Sequence, residues 1–179
     1  VNMAGGQPVS MDNMKEVHAL CSANGIPIYF DSTRVAENAC MIKLRDERYK
    51  NSSIKDIMGE MMLYGDGCTV SGKKDFLINM GGVLAFRDDA QKAMQAEEML
   101  RIYEGNVTDG GLPAADLAAI TQGVREMLDE RYIKARVKQT EYLGNLLLEA
   151  GIPIVEPPGS HAIFLDAKKF LPHVDQDEF

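Results

Sequence analysis

Residues 68–78 read Cys68-Thr69-Val70-Ser71-Gly72-Lys73-Lys74-Asp75-Phe76-Leu77-Ile78. Cys68-Thr69-Val70 is a short apolar run of strand type, and it breaks at once into small and charged residues. A strand that delivers a serine, a glycine and a lysine pair at its carboxyl end fits an α/β sheet, where ligands sit beyond the carboxyl ends of strands. The same design occurs upstream. Ile26-Pro27-Ile28-Tyr29-Phe30-Asp31 is an apolar strand that ends in an acid, followed by Ser32-Thr33-Arg34.

Helical patterns separate these strands. Ser10 to Asn24 reads as a helix that Ser10 caps, with Met14, Val17, His18 and Cys21 on one face. Gly25 stops it. Ala36 to Arg48 is helical, and Ser52-Ser53 caps another helix to about Tyr64, with Ile54, Ile57, Met58, Met61 and Met62 as its apolar stripe. Gly82-Val83-Leu84-Ala85-Phe86 is a further strand. From about Pro113 to Ala150 the pattern is nearly continuous helix, broken near Glu130 or Arg131 and stopped at Gly151. Strands at Ile152–Val155 and Ala162–Leu165 follow. Strands alternating with helices imply an α/β sheet with helices packed on it. The long helix and the short strands after it suggest passage into a second, smaller domain.

Composition narrows the function classes. The chain has 179 residues, 45% of them hydrophobic and 26% charged, which suffices for one domain with a core or one domain and part of another. A net charge of −8, with no basic stripe, argues against nucleic acid and anionic membranes as partners. No apolar run reaches membrane-spanning length and no signal peptide opens the chain. The three cysteines, Cys21, Cys40 and Cys68, lack CxxC spacing and partner histidines, so we expect reduced, buried thiols in a cytoplasmic protein. Many of the eleven methionines fall at helical spacing (Met58, Met61, Met62; Met94, Met99), which we read as core filler. The chain opens at Val1 inside a strand-to-loop passage and stops at Asp177-Glu178-Phe179 without a closing helix, so we expect a segment of a longer protein.

The candidate chemistry lies at the two strand ends. Asp31 reads either as an N-cap of the next helix or as an acid aimed into a site. After Val70, Ser71-Gly72 is expected to leave backbone N–H groups and a hydroxyl free for a phosphate. Lys74 lies between a buried strand and apolar Phe76-Leu77-Ile78, unlike a solvated surface lysine. A lysine drawn partly out of water loses solvation of its charged form and suits Schiff-base chemistry. An acid at one strand end, a lysine at the next and phosphate donors beside it are the set that pyridoxal phosphate needs. Each piece is common on its own. His161 reads as a site residue or as a hydrogen-bonded loop histidine, His18 as a satisfied packing residue and His173 as surface. No cluster has transition-metal spacing.

Longer stretches carry a resemblance. They are Asn2 to Ser10; Phe30-Asp31-Ser32-Thr33-Arg34 with Ala36-Glu37-Asn38-Ala39; Ser71 to Asp75; and Tyr103-Glu104-Gly105. Further on come Arg136-Val137-Lys138-Gln139 with Tyr142-Leu143, Ile154-Val155-Glu156-Pro157, His161 with Phe164-Leu165-Asp166-Ala167, and Gln176 to Phe179. In collinear order over essentially the whole chain, these resemble the β-eliminating lyases, the family of tyrosine phenol-lyase and tryptophanase. The resemblance implies a fold-type I, aspartate-aminotransferase-like large domain with a mainly parallel sheet. Residues 1–127 would belong to it, and residues 128–179 would form a connecting helix and the first strands of the small domain.

The resemblance also implies roles. Lys74 would hold pyridoxal phosphate covalently, and Asp31 would pair with the pyridine nitrogen. Asn2 and Arg34 would lie near the phenolic oxygen of the cofactor, and Ser71 and Lys73 on its phosphate side. A potassium or ammonium ion would take the backbone carbonyl of Asn79. The N-terminal phosphate loop, the catalytic tyrosine and the arginine that grips the substrate carboxylate would lie outside this chain. The implied reaction is β-elimination of an aromatic amino acid to pyruvate and ammonia, in a cytoplasmic homotetramer built as a dimer of dimers. Ser71-Gly72-Lys73-Lys74, Thr33 and Ile154-Val155-Glu156-Pro157 lean toward the phenol-releasing branch, with the indole-releasing branch as the alternative. Asn106-Val107-Thr108-Asp109-Gly110-Gly111 departs from both. An amide in place of the usual methionine should weaken aromatic packing and alter substrate preference. Another fold-type I activity, such as an aminotransferase or cysteine-conjugate lyase, and a non-catalytic relative remain open. Asp31, Arg34, Ser71 and Lys74 argue against the last.

Overall fold

The computed structural model describes every residue except 1–3, 107, 109, 110, 176, 178 and 179. Asn2, expected near the cofactor, therefore lies outside the described residues, as does part of the departure that begins at Asn106.

Helix α1 (Met11–Ala23) starts where Ser10 Oγ accepts the Asn13 N–H at 3.2 Å, and it stops before Gly25 at φ +65. Strand β1 is only Tyr29–Asp31, shorter than the expected Ile26–Asp31. The reason is local. Ile26 N–H closes the end of α1 on the Cys21 carbonyl, Pro27 has no N–H, and Ile28 N–H is taken by the Asp66 carboxylate at 2.7 Å. Helix α2 (Val35–Arg45) buries every residue from Val35 to Ile42. It ends before the expected Arg48 because the Asp46 carboxylate accepts the Arg48 N–H and starts a 3-10 turn, Glu47–Tyr49. Helix α3 (Ile54–Leu63) has its N-terminus on Ser53 Oγ and buries Ile54, Ile57 and Met61.

Strand β2 (Gly67–Ser71) pairs in parallel with β1 and antiparallel with β3 (Gly82–Phe86), in the order β1-β2-β3. The parallel pair needs a long crossover, and α2 and α3 supply it. Helix α4 (Ala90–Tyr103) follows, opened by Asp89, whose carboxylate accepts the Lys92 N–H. Sequence reading found only its methionine spacing. None of its residues is buried; Met94 and Met99 are exposed, which corrects their reading as core filler in the described chain. Helices α5 (Ala114–Glu126) and α6 (Glu130–Glu149) are separated near the expected break, and Asp129 opens the second by accepting the Arg131 N–H. The two expected strands after Gly151 reduce to a single antiparallel bridge, Ile154 to Leu165. Pro153, Pro157 and Pro158 remove the donors that a longer ladder needs. A short helix α7 (Ala167–Phe170) closes the described fold.

The core lies where α1, α2, α3 and α6 meet. It contains Met11, Ala36, Cys40, Ile54, Ile57 and Ile133, with Val70, Phe76 and Ile78 from the segment around β2. Cys40 is buried as expected, but Cys21 and Cys68 are only partly so; all three thiols are free. His18 Nδ1 lies 3.2 Å from the Tyr64 carbonyl oxygen with its ring edge-on to Tyr64, in keeping with a packing role. His173 is exposed. Among the described residues no helix is long and apolar enough to cross a membrane, and no His, Cys and carboxylate group has the arrangement of a metal site.

Candidate active site

Because β1 and β2 run in parallel, both deliver their last residues to the same edge of the sheet. Asp31 stands opposite Thr69, and the Ser32 N–H extends the ladder to the Thr69 carbonyl at 2.8 Å. Thr33 joins the two strand ends. Its backbone N–H donates to Asp31 Oδ1 at 3.1 Å, and its hydroxyl oxygen accepts the Ser71 N–H at 3.1 Å. Hydrogen bonds from the Thr33 side chain and backbone, with the charge of Arg34, hold the exposed Asp31 carboxyl below the usual carboxylate range. Asp31 is not the cap of α2: Arg34 occupies that position, with no side-chain cap bond. Of the two readings of Asp31, the helix cap is excluded.

The lysine turn corrects one expectation. The Ser71 N–H is used by Thr33, and the Gly72 N–H donates to the Gly81 carbonyl at 2.9 Å, closing the β2–β3 connection. Neither N–H is free for a phosphate. The Ser71 hydroxyl and the exposed Lys73 ammonium remain as the local candidates. The turn is tight. A Cβ at Gly72 would overlap Ile78 and lie 3.0 Å from the Gly81 oxygen. Leu77, whose N–H returns to the Lys74 carbonyl, has φ +54, a left-handed conformation costly for a branched side chain. Lys74 is half-buried within this turn, and Asn79 beyond it is exposed.

Behind the two strand ends lies a set of charges that sequence reasoning missed. Asp75, next to Lys74, is buried; its Oδ2 accepts the Ala36 N–H at 2.8 Å and its Oδ1 accepts Arg136 Nη1 at 3.3 Å. Glu37, 1% exposed, accepts a short hydrogen bond from Arg136 Nη2 and another from Ser160 Oγ at 3.3 Å, and it faces Arg34 Nε at 4.0 Å. Two guanidiniums thus meet two carboxylates. Burial pushes the Glu37 carboxyl up and Asp75 adds to the rise, while Arg136 and Arg34 oppose it. Burial also raises Asp75, against the Ala36 N–H and Arg136. A signal existed: Glu37 is the lone acid in Val35-Ala36-Glu37-Asn38-Ala39-Cys40-Met41-Ile42, where a buried charge requires a partner.

His161 approaches from the other side, above Gly6. Its Nδ1 is buried without a hydrogen-bond partner among the described residues, so the reading as a hydrogen-bonded loop histidine fails at that atom. Burial, then the charges of Arg34, Arg136 and Lys74, press its pKa down to about 4. The loop that follows Gly6 is fixed by Asn38, whose amide exchanges two bonds with the Val9 backbone at 2.8 and 2.9 Å. An open cleft of about 660 Å³, lined by Met80, Gly82, Glu104, Asn106, Leu112 and Leu117, adjoins the lysine turn through Gly81.

The family model for beta-eliminating lyases matches residues 1–177. The chain belongs to the beta-eliminating lyase family. Among similar members are the tyrosine phenol-lyases of Pasteurella multocida (55% identical), Symbiobacterium sp. (54%) and Fusobacterium nucleatum (50%), each matched over the whole of this chain. The chain spans 39% of the length of each. The fold matches a solved aromatic amino acid beta-eliminating lyase/threonine aldolase from Exiguobacterium, described as putative in its own name, with a TM-score of 0.66 at 17% identity, over 94% of this chain and 44% of that one. It also matches an L-allo-threonine aldolase from Listeria monocytogenes, similarly described, with a TM-score of 0.63 at 18% identity, over 88% of this chain and 39% of that one. The expected α/β, fold-type I architecture is borne out, with β3 antiparallel beside the parallel pair.

Proposed function

We propose that the full-length protein containing this chain is a pyridoxal-phosphate-dependent lyase that splits tyrosine into phenol, pyruvate and ammonia. The observation that carries the reading is the placement of Asp31 and the Lys74 turn at one sheet edge, joined by Thr33, in a chain 50–55% identical to proteins named tyrosine phenol-lyase. The residues suit the cofactor. An acid kept ionised by its neighbours can hold a protonated pyridine nitrogen, and a half-buried lysine can make the covalent link.

When bound, the cofactor supplies the electron sink for breaking the bond at Cα. The protein's own groups do the rest. Lys74 would hold the cofactor covalently, and its amine is the group placed to move the substrate's Cα proton. Asp31 holds the ring nitrogen, with Thr33 fixing the carboxylate. Arg34 and Asn2 take the phenolic-oxygen side, and the Ser71 hydroxyl and Lys73 take the phosphate. The Asn79 carbonyl contributes to a potassium or ammonium site. In this reading residues 1–127 are part of the large domain, residues 128–179 lead into the small one, and the protein works in the cytoplasm as a homotetramer.

The test is to incubate the full-length protein with pyridoxal phosphate, reduce with borohydride and map the modified peptide by mass spectrometry. A pyridoxyl group on Lys74, with phenol released from tyrosine, is expected. A folded protein with no adduct at Lys74 in excess cofactor would overturn the reading.

A further inference from the structure

We propose that Glu37 is a positioning residue for Arg34, and that through Arg136 and Asp75 the same buried cluster holds Arg34 and the Lys74 turn in one fixed relation. The inference deepens the lyase reading and rests on it. Arg34 caps α2 through its backbone alone, so its largely buried side chain takes its direction from elsewhere. Glu37, one turn along, faces its Nε at 4.0 Å. Glu37 is itself immobilised, with one oxygen on Arg136 and the other on Ser160 Oγ. Arg136 also donates to Asp75, whose second oxygen is fixed to the Ala36 N–H in the first turn of α2. One arginine from α6 therefore ties the residue beside Lys74 to the acid that faces Arg34.

Stability alone does not account for this arrangement. Burying two carboxylates against two partly buried guanidiniums is often no better than filling the same space with apolar side chains. An apolar filling would not aim a guanidinium. The cluster's distinctive product is orientation, at two positions directly beside the reacting centre, where a displacement of about 1 Å can cost on the order of a hundredfold in rate.

The experiment uses the full-length enzyme loaded with pyridoxal phosphate and compares wild type with Glu37→Gln, Arg34→Gln and the double variant. Glu37→Gln keeps the side-chain shape and is expected to retain the cofactor. Its kcat/KM for tyrosine should fall by about tenfold or more, mostly in kcat, with a shifted pH midpoint of the visible cofactor band. Adding Glu37→Gln to Arg34→Gln should cost little further, since the first acts through the second. Wild-type rate and spectrum in a folded Glu37→Gln enzyme, or fully additive losses in the double variant, would overturn the inference. Should Glu37→Gln not fold, Ser160→Ala loosens the same carboxylate more gently. It should shift the band and lower kcat/KM about twofold to fivefold; no change in either rejects the idea. Absence of a reducible link at Lys74 in the wild type would instead refute the lyase reading.

Discussion

Replacing Arg136 with methionine removes the side chain on which two buried carboxylates depend. Glu37 would keep Ser160 Oγ at 3.3 Å and the more distant Arg34; Asp75 would keep the Ala36 N–H at 2.8 Å. Breaking a buried ion pair from one side costs about 3–5 kcal/mol, because the remaining charge is left in a dry site. Glu37 carries most of that cost, because it loses its Arg136 partner and has no backbone donor among the described bonds, whereas Asp75 retains backbone donors. The sign of the pH dependence follows. Burial already places both carboxyls above their unfolded values of 4.5 and 3.8, and losing a guanidinium raises them further. The folded state then holds protons that the unfolded state has released, so the penalty grows as pH rises through the folded pKa values and disappears below the unfolded ones. Urea unfolding of full-length wild type and Arg136→Met at pH 8 and pH 5 reads this directly. With a slope of about 1–3 kcal/mol per molar, the midpoint should fall by about 1 M or more at pH 8 and by clearly less at pH 5. A loss under about 1 kcal/mol at pH 8, or an equal loss at both pH values, would refute the account of a charge-dependent cluster.

Thr33→Val should remove the side-chain bond that holds the Asp31 carboxyl low, so the acidic limb of the kcat/KM profile moves to higher pH; Thr33→Ser, which keeps the hydroxyl, should leave the limb in place. Gly72→Ala forces a Cβ onto Ile78 and toward the Gly81 oxygen, so thermal unfolding should report a loss of about 1–3 kcal/mol. For His161, a folded pKa of about 4 against an unfolded 6.5 means that the unfolded chain takes up a proton the folded one refuses. Stability should fall as pH drops from 6.5 toward 4, by about 1–2 kcal/mol after discounting for partial exposure, and His161→Leu should flatten that slope in pH-dependent denaturation. Asn106→Met should raise kcat/KM for tyrosine by about tenfold, the worth of a better apolar contact, if Asn106 borders the substrate ring; an unchanged value would remove it from the specificity region.

What was legible in the sequence, and what was not, divides along a physical line. Local signals survived. Ser10 and Ser53 bond the N–H groups their positions call for, Gly25 and Gly151 stop their helices in the left-handed region, and Asp31 and Ser71 end the strands that point them to one edge. Where a neighbour distant in sequence competes for the same backbone group, local reading failed. Asp66 shortens β1 by taking the Ile28 N–H, and Thr33 and Gly81 occupy the two N–H groups expected to be free at Ser71-Gly72. Helix α4 was missed for a related reason: it packs on β3 through small residues such as Ala93 and Ala96, which are only partly buried, while Met94 and Met99 stay exposed, so it carries no strong apolar stripe. The charge cluster is the extreme case, since Glu37 and Arg136 lie 99 positions apart. Sequence periodicity marks where a buried charge lies, but only the packing of α6 on α2 shows which charge answers it. The side chains proposed to hold the cofactor could therefore be found from strand ends and turns. Those that aim them were hidden, because their meaning rests on a tertiary contact that the sequence does not display.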